Sequence, residues 1–454
     1  MFDNILGQDA AVLLARDIAA SALAPSVLFR GPAASGKGTA ALELARGLSC
    51  ARGGEWNCAC PDCARHRLLY HPDLLALGAR SFSPEIAAAA RVFSREYADT
   101  PARLFFIRAA RKLLLRAGSA LWEDDPGAKK IAPLVEALDA DLNEVLAFHG
   151  AADSGGEEAA PPEDGWAEKI AGSILKNAWK LEAEGIPGQI PVAQIRRASF
   201  WCRMAPLSRR KVLLIENAER MQDGARNALL KILEEPPPTA VIVLCSAHPA
   251  ALLPTVLSRL RPYYFARRDA AVEREVIRRV FRARTDPEGP ARNGSLIFGY
   301  LERFLPVSGE TLAPLAVLFA ASLAARARRL LQAARNGAAP PALLAARAAR
   351  MEEAARGAAL PAVPATAEAV LRAIREGADN FEAPGVFERF LEAVLEAAGG
   401  AGAAEEDGAI RDIWSGVVNG AAVAVRTYNM AVPLILERMG TEFLQRVRAL
   451  YGIG

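Results

Sequence analysis

Lys211-Val212-Leu213-Leu214-Ile215-Glu216-Asn217 opens the stretch that decides the fold, and Leu257-Ser258-Arg259-Leu260 closes it. An apolar run that ends in a carboxylate and an amide is the pattern of a buried parallel strand whose C-terminal end carries polar site residues. The spacing predicts a helix directly afterwards. In Ala225-Arg226-Asn227-Ala228-Leu229-Leu230-Lys231-Ile232-Leu233-Glu234-Glu235 the apolar residues fall at 225, 228, 229, 232 and 233, one stripe of the roughly 3.6-residue helical period. Pro236-Pro237-Pro238 stops that helix, and Val241-Ile242-Val243-Leu244-Cys245 follows as a second core strand.

Further toward the N-terminus, Ser26-Val27-Leu28-Phe29 is a short apolar strand. It runs into Gly31-Pro32-Ala33-Ala34-Ser35-Gly36-Lys37-Gly38-Thr39 and then an Ala/Leu-rich helix to about Leu48. Strand, glycine loop and helix form the setting of a P-loop, in which successive backbone N–H groups cradle phosphate and Lys37 reaches the terminal phosphates. Where the usual pattern has Ser or Thr as a magnesium ligand the chain has Gly38, with Thr39 one step later. Next come Cys50, Cys58, Cys60 and Cys63, four thiols within fourteen residues. Such a set suits a structural zinc ion, because soft sulfur in a closed shell of four needs no open position. Cys58 and Cys60 are separated by only one residue, so His66 could replace one of the four. His71 is read as a loop or cap residue, and Leu74-Leu75-Ala76-Leu77 as the next strand of the sheet.

Taken together, the string from Asn227 to Pro237, NALLKILEEPP, and LSRL about twenty residues later resemble the ATPase domain of bacterial DNA polymerase III clamp loaders, the gamma/tau and delta-prime subunits of the AAA+ class. Phe2-Asp3-Asn4-Ile5-Leu6-Gly7-Gln8, followed by a helix to about Ala20, is similar to the start of those domains. The resemblance implies an α/β P-loop AAA+ domain, a parallel sheet with flanking helices, over residues 1–266. It also implies a zinc module at 50–66, a small helical lid at 267–304 and an all-α C-terminal collar domain at 305–454. In the family the arginine of a Ser-Arg-Cys motif is offered to the ATP of the adjacent subunit. Ser258-Arg259 keep that pair while Leu260 replaces the cysteine. The chain's own site is degenerate: Glu216 stands where aspartate is usual, and Asn217 stands where the catalytic glutamate would be. An amide is no base near neutral pH.

A site that has lost its own catalysis and kept a trans-acting arginine is the delta-prime pattern. The implied partners are the gamma/tau and delta subunits in a hetero-pentamer, the sliding clamp, and primer-template DNA through the complex. The alternatives are an active gamma/tau-type motor, a structural AAA+ partner with an empty site, and a nucleoside monophosphate kinase using the Gly36-Lys37-Gly38-Thr39 loop. Whether the loop binds ATP or ADP, and magnesium with it, the residues leave open.

Between about 79 and 188 the resemblance lapses, and the chain takes over a hundred residues where a few tens are usual. Pro101 to Ala117 reads as an amphipathic helix, with Phe106, Ile107, Leu113 and Leu114 on one side and Arg108, Arg111, Lys112 and Arg116 on another. The basic side could meet DNA or a partner and is read as solvated. Ala151 to Gly165 reads as an acidic, Gly/Pro-rich linker. Gly294-Ser295-Leu296 is followed by Ile297 where gamma-type lids carry a sensor arginine. Beyond Leu305 the chain reads as Ala/Leu/Arg-rich helices broken near 338–341, 361–364 and 399–408.

With 454 residues the chain exceeds one hydrophobic core. Its 55 basic and 52 acidic residues nearly cancel to +3, so net charge gives no case for nucleic-acid binding. The start Met1-Phe2-Asp3-Asn4 lacks the basic opening of a signal peptide, and no uncharged run of about 18 apolar residues occurs. The expected location is the cytoplasm, with no membrane partner.

Overall fold

The computed structural model describes residues 1–78, 80–153, 163–284, 295–305, 307, 309–334, 342–357, 363–378, 386–399, 408–428 and 430–453. The chain divides into two compact units, Met1–Phe304 and Leu305–Gly454.

In the first unit five strands, β1 (Ser26–Arg30), β2 (Leu74–Leu77), β3 (Lys211–Ile215), β4 (Ala240–Ser246) and β5 (Arg261–Tyr264), form one sheet in the order β2-β3-β4-β1-β5. Every neighbouring pair is parallel, with Val27 opposite Val243 and Arg261, and Leu214 opposite Ala76 and Val243. Parallel neighbours need crossovers, and helices supply them. After α1 (Asp9–Ala19), which precedes β1, these are α2 (Lys37–Ser49), α3 (Pro61–Arg67), α4 (Ser83–Glu96), α5 (Thr100–Leu114), α6 (Ser119–Trp122), α7 (Ala128–Asp153), α8 (Trp166–Gly185), α9 (Val192–Arg203), α10 (Asp223–Glu234) and α11 (Pro254–Leu257).

Alternate strand residues serve opposite faces. Val27, Phe29, Val212, Leu214 and Val243 join α1 and α2 in one core, while Leu28, Leu213, Ile215, Ile242 and Leu244 join α9 and α10 in another. Burial on both faces is why β3 and β4 read as unbroken apolar runs. The stripe at 225, 229, 232 and 233 is the buried face of α10, and the proline run follows its end at Glu234.

Helices α4, α5, α7 and α8 build a bundle with a core of its own, including Phe82, Phe93, Phe106, Leu138, Ile174 and Leu181. The basic side of α5 is not solvated. Arg111 is 7% exposed and Arg116, just past the helix, 4%, while Arg108 and Lys112 are half-buried and bonded to the Arg67 carbonyl and to Glu85. Arg111 donates to the Leu68 carbonyl at 2.9 Å and its guanidinium lies over Tyr70 at 5.2 Å. Helical periodicity separates two faces but does not say that both will be covered. Here the bundle core takes one face, and the segment joining α3 to β2 takes part of the other. Most of the expected linker at 151–165 lies outside the described residues.

After β5 come α12 (Ala270–Arg279) and α13 (Leu296–Glu302), whose Val276, Ile277, Ile297 and Tyr300 share a small core with Phe281 and with Ala88 of α4. Ile297 is therefore a packing residue. Ser295 caps α13 and donates to Glu273 at 2.8 Å, while Gly294 lies outside the described residues.

The second unit is helical: α14 (Gly309–Ala334), α15 (Ala342–Gly357), α16 (Ala367–Gly377), α17 (Val386–Gly399), α18 (Gly408–Tyr428) and α19 (Val432–Leu450). By length and composition α14 could cross a membrane, yet most of that stretch is buried. Its Leu315, Phe319 and Leu323 enter a core with Phe390, Trp414 and Phe443. The expected breaks at 338–341, 361–364 and 399–408 lie mostly outside the described residues.

Candidate functional site

The glycine loop leaves the C-terminal end of β1, where the Gly31 amide donates to the Ser246 carbonyl at the tip of β4. Gly36 has φ +94°, a left-handed conformation that suits glycine, and caps α2. Ser35 is buried and donates to the Pro32 carbonyl at 2.8 Å. Lys37 folds back over the loop, its Nζ donating to the Gly31 and Pro32 carbonyls at 2.6 Å. Burial draws its amine below the ordinary value, opposed by Cys245, Glu219 and Glu216. Thr39 stands exposed on the first turn of α2.

Gly38 packs so closely on Glu216 that an added Cβ would lie 2.4 Å from Glu216 Oε1. The carboxylate occupies the space a Ser or Thr side chain would need. Glu216 is in turn ion-paired with Arg116, and Arg80 Nε lies 3.8 Å away. Arg80 also bonds Glu85 at 2.7 Å, and Lys112 pairs with the same Glu85. Both guanidiniums lie over the Phe82 ring, at 4.7 and 5.0 Å. Burial alone would raise the Glu216 carboxyl, but Arg80, Arg116 and Lys112 outweigh it and hold it below the usual range. Glu85 is held down to about 2, with Lys112 and Arg80 overcoming burial. Burial brings Arg116 down to about 10.

Asn217 follows Glu216 in a left-handed conformation, φ +49°. Glu219, three residues after Glu216, accepts from the Ala247 amide at 3.2 Å through Oε1. Its buried Oε2 has no hydrogen-bond partner among the described residues. From beyond β5, Arg268 donates to the Ala34 carbonyl at 2.7 Å and to Leu6 at 3.1 Å, covering the loop. Sequence reading missed Arg80, Glu219 and Arg268 and set Arg116 on a solvated face. Glu219 had one signal, its nearness in sequence to Glu216. The others come from distant segments with no shared motif.

Arg259 lies at the other end of the sheet. Arg261, at the start of β5, pairs with Val27, four residues before Gly31, so the loop is roughly 13 Å further along the strand direction. The side chain is exposed and donates to Thr255 O at 2.7 Å and Glu234 Oε1 at 2.8 Å. Ser258 is exposed too and donates to Thr255 O at 3.1 Å. Glu234 belongs to the quoted EEPP string, so the two strings meet at this ion pair.

The Sγ atoms of Cys50, Cys58, Cys60 and Cys63 all lie within 4.8 Å of one another and could hold a metal ion. The Arg52 amide points at Cys50 Sγ at 3.3 Å and Arg46 Nη1 at Cys63 Sγ at 3.0 Å, donors that favour thiolate sulfur. The chemistry of this donor set fits zinc. His66 is not one of the cluster. Its Nε2 meets Ser49 Oγ at 2.8 Å and its ring stacks on His71 at 4.1 Å, because α3 turns it toward the end of α2. His71 accepts from the Asp73 amide at 3.1 Å, in the loop between α3 and β2.

A parallel sheet of this order, with a glycine loop after β1, an acid at the tip of β3, a cysteine module and a short helical element after β5, defines an α/β domain of the AAA+ class. The family model described as DNA polymerase III, delta subunit, matches residues 7–123 and 166–269. It thus extends into the segment where the quoted strings lapse and leaves 124–165 between its two matched parts. Similar curated proteins include the DNA polymerase III subunit delta' of Pseudomonas aeruginosa, 43% identical over 91 residues, which are 20% of this chain and 28% of that protein. That of Yersinia pestis is 40% identical over 80 residues, 18% and 24% of the two chains. The gamma/tau subunit of Mycobacterium bovis is 33% identical over 87 residues, 19% and 14%. The matched stretch spans about a quarter of the two delta' relatives. A solved gamma subunit-related protein from Thermotoga maritima aligns at 17% identity with a TM-score of 0.27, covering 63% of this chain and 92% of that one. The chain belongs to the DNA polymerase III clamp-loader subunit family.

Proposed function

We propose that the chain acts as a delta-prime-like subunit of a cytoplasmic DNA polymerase III clamp loader. In this role it does not turn over ATP itself and supplies Arg259 to the nucleotide of a neighbouring subunit. The observation that carries this reading is the exposure of Arg259 at the end of the sheet remote from its own glycine loop. A guanidinium there can stabilise charge on a phosphoryl group held by another chain. Gly38, Asn217 and the ion-paired Glu216 support the loss of turnover in cis. The partners are gamma/tau, delta, the sliding clamp and primed DNA, with residues 305–454 as the collar element. The test is reconstitution with wild-type or Arg259→Ala subunit. The variant assembles normally but lowers DNA-stimulated hydrolysis and slows clamp loading; equal rates would remove the reading.

Glu219 favours a second reading, an active gamma/tau-type site, since it is a carboxylate near Lys37 with one oxygen unpartnered among the described residues. Turnover by the isolated chain that Lys37→Ala and Glu219→Gln both abolish would establish that alternative. Zinc in the cysteine cluster is assigned a structural role, with all four ligands from the protein. Metal analysis of protein purified without chelator should find about one zinc per chain and, in a Cys58→Ser/Cys60→Ser double variant, none.

A further inference from the structure

The magnesium side of the glycine loop does not match the ion that such loops ordinarily use. A divalent cation beside a P-loop takes a hydroxyl from the residue after the lysine and an outer contact from the acid at the tip of the neighbouring strand, with water and phosphate completing an oxygen shell. Here the hydroxyl is absent, and the space for it is filled by Glu216 Oε1, which an added Cβ on Gly38 would meet at 2.4 Å. The acid itself is engaged by Arg116, with Arg80 Nε at 3.8 Å. Arg116, with Arg80 shared between this carboxylate and Glu85, puts positive charge where a divalent ion would otherwise stand.

Arg116 is fixed in place. It is 4% exposed, donates to the Lys112 carbonyl at 2.8 Å and is backed by the Phe82 ring. Its buried Nε nevertheless has no hydrogen-bond partner among the described residues. A guanidinium with a donor to spare, on the acid next to the loop, is suited to a phosphate oxygen. An entering cation would meet like charge and would have to displace Arg116 from Glu216.

We propose that Arg116 occupies the role of the divalent cation, so that this loop takes a nucleoside di- or triphosphate without magnesium and holds it unhydrolysed. Lys37 and Arg268 contact the phosphates from the loop side, and Arg116 neutralises them from the side of β3. The inference rests on reading residues 31–39 as a nucleotide site, and the experiment separates the two.

The full chain is titrated calorimetrically with ADP and with ATP, first in magnesium-free buffer and then with excess magnesium. No strong chelator is used, so that the cysteine module keeps its metal. The dissociation constants should agree within about threefold between the two buffers, or be weaker with magnesium, and Lys37→Ala should lose binding in both. Arg116→Met should weaken metal-free binding by about tenfold or more and make what remains depend on magnesium. Its folding is checked by circular dichroism, and the wild-type titration decides the matter if that variant does not fold. Tightening of wild-type binding by about tenfold or more on adding magnesium would overturn the inference and leave the nucleotide site standing. Absence of binding in both buffers, or full binding by Lys37→Ala, would overturn the nucleotide site and the inference with it.

Discussion

Arg116 and Arg259 are the same residue type at opposite ends of one sheet, and each pairs with a glutamate on an element that follows or precedes a strand. Arg116 is 4% exposed and sits with Glu216, Arg80, Glu85 and Lys112, all partly buried, in a network of opposite charges over Phe82. Around Arg259 an exposed glutamate and the Thr255 carbonyl hold the guanidinium of an exposed residue. Burial makes the first pair expensive to break and unavailable to a partner. Exposure makes the second pair cheap to exchange for a phosphate on another chain.

That contrast can be broken most directly in the reconstituted complex. Arg259→Ala should lower turnover at the one site it completes by on the order of 10³-fold, a partial loss for a complex with several sites. Lys37→Ala in the same subunit should leave the hydrolysis rate of the complex unchanged. Equal losses from the two substitutions would place the function of both ends in cis.

Stability should invert the order. Removing one partner of a buried network strands the other charges, so Arg116→Ala should cost about 3–5 kcal/mol in urea unfolding. Arg259→Ala breaks a surface pair and should cost about 0–1 kcal/mol. Similar values for the two would mean that the network around Glu216 is wet.

Acid should sharpen the same difference. Glu85 has a folded value of about 2 against an ordinary 4.5. Its contribution is therefore present above the unfolded value and lost as pH falls from about 4.5 toward 2. Melting temperatures followed through that window should fall less steeply in Glu85→Gln than in the wild type. The smallest effect concerns Glu234. Releasing Arg259 from it should change turnover by the complex by no more than about threefold, the worth of an exposed pair.

Strands β1 to β4, the glycine loop, the crossover helix at 223–234 and the cysteine cluster were legible in the chain because each depends on local order: an apolar run, a loop with a lysine, a helical stripe, four thiols close in sequence. The two strings around residues 227–237 and 257–260 pointed to the family for the same reason. Only the tertiary structure brought Arg80, Arg116 and Arg268 to the loop, from segments that share no motif with it, and only it set Glu234 against Arg259. The basic side of the helix ending at Leu114 shows where local reading stops. Its period distinguishes two faces, but whether the polar face meets water or a buried acid depends on what packs there, and that is a long-range choice. His66 belongs to the same case: spacing made it a possible ligand, and the direction in which its helix turned gave it to Ser49 instead.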